Sequence, residues 1–234
     1  MMSKTFSILC PSRGRPDLFA RMAESAKYAP DADCEILAFL DDDDETALDY
    51  RRDLIDDVVI GQVKSVGVAW NRLAERCSGQ YLLMGNDDLV FEPEWDKKLL
   101  KVFAQRLPVD GLFVAWAEDG SKRGNGTFPI MTRLWYEVLG YFTPTRFHFL
   151  WNDTWVTDIA LRAKRGFYIP DVLIEHRHFT FHKAEYDATY RRHREGQGLK
   201  TQEDRRVYTD SLADRKADAR AILRKIEELK GITR

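Results

Sequence analysis

Tyr81-Leu82-Leu83-Met84-Gly85-Asn86-Asp87-Asp88-Leu89-Val90-Phe91 is an apolar run that stops at two adjacent carboxylates and then resumes. It reads as a buried strand whose C-terminal end presents Asp87 and Asp88 at a sheet edge. Adjacent aspartates inside an apolar segment are costly unless a positive group compensates them. A divalent cation is the simplest compensator, because hard cations take carboxylate oxygens. Gly-Asn-Asp-Asp is equally good chemistry for a tight turn. The surrounding chain has to decide between the two.

Upstream, strands and helices alternate. Thr5 to Cys10 is a short strand that runs into Pro11-Ser12-Arg13-Gly14-Arg15-Pro16, a rigid turn holding two arginines. A helix follows to Lys27, with Asp17 as its expected N-cap. Cys34 to Leu40 is a second strand, ending in the carboxylates Asp41 to Asp44. A short helix is expected over 46–53 and a third strand at Val58 to Ile60. A helix over Ser65 to Cys77, closed by Gly79, leads into the opening stretch, and another runs from Glu92 to Phe103. This alternation predicts a three-layer, mainly parallel sheet, whose strand ends form the ligand edge.

The second half has a different rhythm. Strands are expected at Gly111 to Trp116 and Phe128 to Thr132, with a polar, mobile loop from Gly120 to Gly126 between them. A short helix ends at Gly140, and an aromatic loop leads to Trp151-Asn152-Asp153-Thr154-Trp155, which opens a helix ending at Gly166. The extended segments 167–170 and 172–174 finish at Glu175-His176-Arg177-His178. From Lys183 the chain is charged and helical, with a break at Gly196 and Gly198. Its last helix carries only a modest apolar stripe of Leu212, Ala219, Ile222, Leu223 and Ile226.

Composition narrows the function classes. The 234 residues carry a net charge of −2, so no global field favours nucleic acid or an anionic membrane. The stretch from His182 onward is mildly basic, with 14 Lys and Arg against 10 Asp and Glu. Its Arg191, Arg192, Arg194, Arg205 and Arg206 suit a solvated or dimer-forming helix, or a phosphate backbone. Cys10, Cys34 and Cys77 are too scattered for a metal cluster and point to a reducing compartment. No apolar run approaches the roughly 20 residues of a membrane span, so a soluble, cytoplasmic protein is expected. The Gly-x-Gly-x-x-Gly dinucleotide signature is absent.

Four expected strand ends thus carry polar clusters: Ser12 with Arg13 and Arg15, Asp41 with Asp42, Asp87 with Asp88, and His176 with His178. In this order and spacing, from about Phe6 to His178, the chain resembles the nucleotide-sugar glycosyltransferases of the GT-A fold, in particular the inverting family two. The resemblance implies a single Rossmann-like α/β domain over 1–181, with a mixed, mainly parallel sheet flanked by helices. Its nucleotide-binding half would be 1–107 and its acceptor half 108–181, with 182–234 a charged helical extension. It places Pro11, Ser12, Asp41, Asp42, Gly67, Asn71, Asn86 and Asp87 on the donor nucleotide. Asp88 becomes the residue most directly on the metal, Asn86 stands where the family has a first Asp, and His176 or His178 reaches the same ion. Asn152-Asp153-Thr154-Trp155, with Asp158, Arg162 and Gly166, resembles the motif that carries the catalytic base, which puts Asp153 in that role.

The implied chemistry is coherent. Mn²⁺ or Mg²⁺ bridging the phosphates of a nucleotide sugar, most simply a UDP-sugar, neutralises the leaving group. Arg13, Arg15 and Lys183 are candidate counter-charges, and Asp153 would take the acceptor proton. As a helix-opening residue Asp153 is also good capping chemistry, and the two roles are compatible. The acceptor is open among a glycan, a protein and a modified DNA base, and the C-terminal helices offer a homodimer seam. A sugar-phosphate nucleotidyltransferase would need a longer Gly-rich loop after the first strand than Pro11 to Pro16 provides. A non-catalytic nucleotide-sugar or glycan binding module on the same scaffold is the third reading.

Overall fold

The computed structural model describes residues 4–28, 33–62, 65–194 and 197–232. The first half alternates β1 (Phe6–Ser12), α1 (Pro16–Ala26), β2 (Cys34–Asp41), β3 (Asp57–Gly61), α2 (Val66–Ala74) and β4 (Tyr81–Met84). Then follow β5 (Leu89–Phe91), α3 (Trp95–Arg106), β6 (Val114–Glu118), β7 (Ile130–Thr132), α4 (Arg133–Leu139), α5 (Asn152–Arg162) and β8 (Gly166–His176). Three helices close the chain: α6 (Ala188–Arg194), α7 (Gln197–Asp210) and α8 (Leu212–Ile232). The strands make one mixed sheet in the order β3-β2-β1-β4-β7-β6-β8-β5, which matches the expected α/β class. The β3-β2-β1-β4 half is parallel, β7 is antiparallel to β4 and β6, and β5 is antiparallel to β8.

Strand alternation explains why both faces are covered. Phe6, Ile8 and Cys10 of β1 face one core, with Phe19, Met22, Trp95, Leu99 and Phe103 from α1 and α3. Leu9 faces the other, with Leu73, Trp135, Trp155 and Ile159 from α2, α4 and α5. A strand buried on both faces reads as a continuous apolar run, and β1, β2 and β4 do. The α8 stripe of Ala219, Ile222 and Ile226 joins this second core, so the expected dimer seam is largely used within the chain.

The opening stretch forms the expected strand, β4, before the carboxylates and a second strand, β5, after them. Gly85 N–H donates to Leu9 O at 2.8 Å, and a Cβ at Gly85 would lie 2.8 Å from that oxygen. The Trp70 indole N–H bonds both Leu9 O and Gly85 O at 3.1 Å, fixing the chain where it leaves the sheet. After the Asn86–Asp88 turn, β5 joins the far edge of the sheet, pairing Leu89 with His176. The turn reading therefore holds, and the turn itself presents the two carboxylates at the end of the sheet.

Several boundaries differ from expectation. The 46–53 segment forms turns, held by the Asp44 carboxylate on Thr46, with only a short 3₁₀ turn at Arg52–Leu54. Pro16 occupies the first turn of α1, so Arg15, not Asp17, is its N-cap. The Gly120–Gly126 loop is tied at both ends, by Glu118 to Gly120 N–H and by Trp116 to Gly124 O. Helix α5 ends at Arg162, and Gly166 instead begins β8. Gly198 lies inside α7, and Gly196 falls outside the described residues. Among the described residues no helix is long and apolar enough to cross a membrane.

Gly79 is not a helix cap, since α2 has already ended at Ala74. It is needed for close approach: a Cβ there would sit 2.4 Å from Ser7 Oγ and 2.7 Å from Ser7 N. Gly79→Ala is expected to cost about 1–3 kcal/mol by overpacking, read as a lower urea midpoint. An unchanged midpoint would contradict this close contact.

Candidate active site

The ends of β1, β2 and β4, the start of α5 and the segment after β8 enclose one cavity of about 700 Å³. It is lined by Pro11, Ser12, Arg13, Arg15, Asp41, Asn86, Asp87, Asp88, Asp153, His176 and His178. Four strand ends and one helix start thus converge, as a cleft at the sheet edge requires.

The two central aspartates are buried and differently partnered. Asp87 accepts from Ser12 Oγ at 2.7 Å and from Arg15 Nη1 at 3.1 Å. Burial pushes its carboxyl up to about 6, against the pull of Arg15. Asp88 accepts from Asn86 Nδ2 at 2.9 Å on one oxygen, and meets His176 Nε2 at 3.2 Å and the Tyr190 hydroxyl at 3.0 Å on the other. Burial pushes Asp88 up, but His176, Arg15 and Tyr190 together hold it below the usual carboxylate range. So the pair splits: Asp88 carries the firmer negative charge, while the Asp87 charge is matched by Arg15.

The β5–β8 register explains the His176 contact. Leu89 and His176 are partners in an antiparallel pair, so residues just before Leu89 and around His176 share one end of the sheet. Arg177 N–H closes the same corner on Asp88 O at 2.8 Å. His178 is 5.1 Å ring to ring from His176, and its Nδ1 lies 2.8 Å from Thr180 Oγ1. Burial and the neighbouring His176 lower its pKa.

Asp88 and His176 fit a shared cation. Adjacent ligands of an octahedral ion at ~2.2 Å lie about 3.1 Å apart, close to the 3.2 Å between Asp88 Oδ2 and His176 Nε2. Among the described residues no three His, Cys, Asp or Glu side chains form a complete metal site. The protein would therefore supply a partial set, to be completed by water or a ligand's own oxygens.

On the β2 side, Arg13 Nη1 bonds Asp41 Oδ2 at 2.6 Å. Asp41 Oδ1 is buried and has no hydrogen-bond partner among the described residues. An orphaned carboxylate oxygen at a cavity wall wants a donor. Across the cavity, Asp153 lies in the first turn of α5. The helix N-cap is Trp151, in a left-handed conformation with φ 74°, so Asp153 is not the cap. Burial raises the Asp153 carboxyl, although the Thr154 N–H holds it down. A raised carboxylate facing a cleft suits proton transfer.

Four expected donor residues do not line the cavity. Asp42 is exposed. Gly67 faces the 144 loop, where a Cβ would lie 2.5 Å from Pro144 O. Asn71 donates to Thr143 O at 2.5 Å and accepts from Phe142 N at 2.8 Å, so it holds that loop to α2. Lys183 pairs with Glu175 at 2.8 Å. Gly67 and Asn71, which the resemblance placed on the donor, pack the 142–144 loop against α2.

Sequence reasoning missed the C-terminal contribution. Asp187 holds Arg15 through both carboxylate oxygens, at 2.8 and 3.0 Å, and the Arg15 guanidinium lies 4.1 Å from the centre of the Tyr190 ring. Tyr50, from the 46–53 segment expected as a helix, bonds Ser12 Oγ at 2.8 Å. The only available signal was an Asp-x-x-Tyr spacing in a segment read as solvated.

A family model described as Glycosyl transferase family 2 matches residues 7–164, which contain most of these elements. The chain belongs to glycosyl transferase family 2. Among solved structures the family chain is similar to S. aureus TarS 1-349 in complex with UDP, at TM-score 0.58 and 12% identity over 73% of this chain and 60% of that one. The same TarS segment with UDP-GlcNAc gives TM-score 0.59 at 13% identity, covering 74% and 59%. The mannosyltransferase PcManGT from Pyrobaculum calidifontis, in complex with GDP-Man and Mn2+, gives 0.57 at 13%, covering 75% and 57%. This chain therefore spans less than two thirds of those chains. No curated protein matches it. These similarities establish a GT-A fold for the family 2 chain, as the order of its strand-end clusters implied.

Arg15 is the buried counter-charge of this family 2 site, its side chain only 5% exposed. Arg15→Met is expected to cost about 3–5 kcal/mol at pH 7, because it strands Asp87. Chemical denaturation measures it, and a loss below about 1 kcal/mol would show that Asp87 needs no partner.

Proposed function

We propose that the chain is a metal-dependent glycosyltransferase that moves a sugar from a nucleoside-diphosphate donor to an acceptor hydroxyl with inversion. The observation that carries this is the meeting, in one cavity, of the Asp88–His176 pair at 3.2 Å and the unpartnered Asp41 oxygen. Asp41 Oδ1 would accept a ring N–H, which uracil and guanine carry and which adenine and cytosine lack. The structural neighbours in complex with UDP, UDP-GlcNAc and GDP-Man support that donor class, with a UDP-sugar the first choice.

The roles follow from placement. Asp88 and His176 would hold Mn²⁺ or Mg²⁺, which supplies charge neutralisation to the departing phosphates. His176 would ligate only with Nε2 unprotonated, so its hydrogen bond to Asp88 would have to give way to the ion. Arg13 and Ser12 border the diphosphate, and Arg15 keeps Asp87 from repelling it. Asp153 takes the acceptor proton, so no protein nucleophile is required. The catalytic domain is assigned to 1–181 and the helical extension to 182–234, in a cytoplasmic protein whose three buried free thiols suit a reducing compartment. The acceptor class remains a glycan, a protein or a modified DNA base.

The experiment is calorimetric titration of UDP and GDP with and without Mn²⁺, followed by hydrolysis assays with UDP-GlcNAc and GDP-Man. Metal-dependent nucleotide binding is expected, and no binding of either nucleotide would remove the proposal. Asp153→Asn should lower turnover by about 10²–10⁴-fold while leaving nucleotide affinity unchanged. The base works deprotonated, and its carboxyl is raised. Activity should therefore fall with decreasing pH at a point above the usual carboxylate range. An acid limb at or below pH 4, the ordinary carboxylate value, would contradict Asp153 as the base. The Tyr190 hydroxyl occupies the Asp88 oxygen that the ion would use. Tyr190→Phe should tighten Mn²⁺–UDP binding by roughly two- to tenfold, the worth of one hydrogen bond. Weaker binding would mean that Tyr190 supports the ion instead.

A further inference from the structure

Asp204 lies in α7, beyond the 7–164 segment that the family model covers. Its side chain is fully buried, yet it makes no ion pair among the described contacts. Instead it binds backbone. Oδ1 accepts from His148 N at 2.7 Å, and Oδ2 accepts from Phe149 N and Leu150 N, each at 2.9 Å. Three consecutive amides converge on one carboxylate, an arrangement expensive to bury unless those bonds are made.

The segment so held is the cavity wall opposite the nucleotide half. His148, Phe149, Leu150 and Trp151 all line the cavity and lead directly into the first turn of α5. Trp151 takes a left-handed backbone, which a non-glycine residue holds only where its surroundings impose it. The surroundings come from the same extension: Tyr208 of α7 stacks on Trp151 at 4.7 Å, and Arg215 of α8 lies 3.8 Å from the centre of the Tyr208 ring. Arg215 also bonds Asp158 of α5 at 2.6 Å.

We infer that Asp204 is a positioning residue for the acceptor side: by holding the 148–150 amides it fixes the wall that an acceptor meets and the helix turn that presents Asp153. The C-terminal extension is then part of the active site. This rests on the glycosyltransferase reading above. Asp153 touches the reacting hydroxyl, and Asp204 acts only through the loop. The donor half, built on β1, β2 and β4, makes no contact with Asp204 among its described hydrogen bonds.

Asp204→Asn tests it in the full chain. An asparagine has one acceptor oxygen, so its NH₂ must oppose at least one of the three amides. Asp204→Ser, which leaves room for water, is the second variant if the first folds poorly. Hydrogen exchange of the 147–151 peptide is expected to speed up at least tenfold. Calorimetric UDP affinity with Mn²⁺ should stay within threefold. Hydrolysis of UDP-GlcNAc or GDP-Man, whichever the wild type turns over, should lose at least tenfold in kcat with donor KM within twofold. Unchanged exchange, or unchanged kcat with faster exchange, overturns the inference. A parallel loss of UDP affinity and thermal stability also overturns it, since that is a general structural role. If the wild type neither binds UDP or GDP nor hydrolyses either donor, the glycosyltransferase reading fails, while the exchange result still decides whether Asp204 holds the loop.

Discussion

The site depends on one strand pairing. β5 leaves the centre of the sheet after β4, crosses to the far edge and runs antiparallel to β8. That crossing carries Asp87 and Asp88 over the sheet end, and the Leu89–His176 register delivers His176 to Asp88. Two residues 88 positions apart become neighbours because a three-residue strand pairs there. Slipping the register by one residue would turn His176 to the other face and separate the pair.

The second constraint is the disposal of charge. Two buried carboxylates side by side repel, and the fold resolves this by giving them different partners. Arg15, itself clamped by Asp187 and covered by Tyr190, neutralises Asp87. Asp88 has no arginine bonded to it and meets a histidine and a hydroxyl instead. The residues following β8 thereby complete a centre that β1 and β4 begin. On the opposite wall the extension acts again, through Asp204 and the Tyr208–Arg215 stack.

Much of this was legible in the sequence. The alternation of apolar strands with amphipathic helices gave the class, and polar clusters at successive strand ends gave the ligand edge. Pro11, Ser12, Arg13, Arg15, Asp41, Asn86, Asp87, Asp88, Asp153, His176 and His178 do line one cavity. Gly67 and Asn71 do not, because spacing along a helix cannot tell a side chain that packs a loop from one that meets a ligand; Asp42 is exposed after β2, and Lys183 pairs with Glu175. The strand ending at the carboxylates was legible, but the resumed run Leu89–Phe91 was not assigned, because burial patterns do not reveal which edge a strand joins. The C-terminal segment looked solvated because its contacts to the site are single polar residues, Asp187, Tyr190 and Asp204, scattered among exposed charges.

The central claim is that Asp88 and His176 form the protein's half of a cation site. Crystals of the protein grown with UDP and MnCl₂, measured for manganese anomalous scattering, test it most directly. The account predicts a single strong peak at about 2.2 Å from both Asp88 Oδ2 and His176 Nε2, bridging to the diphosphate. Nucleotide bound in the cavity with no manganese there, or with manganese away from Asp88, would contradict it.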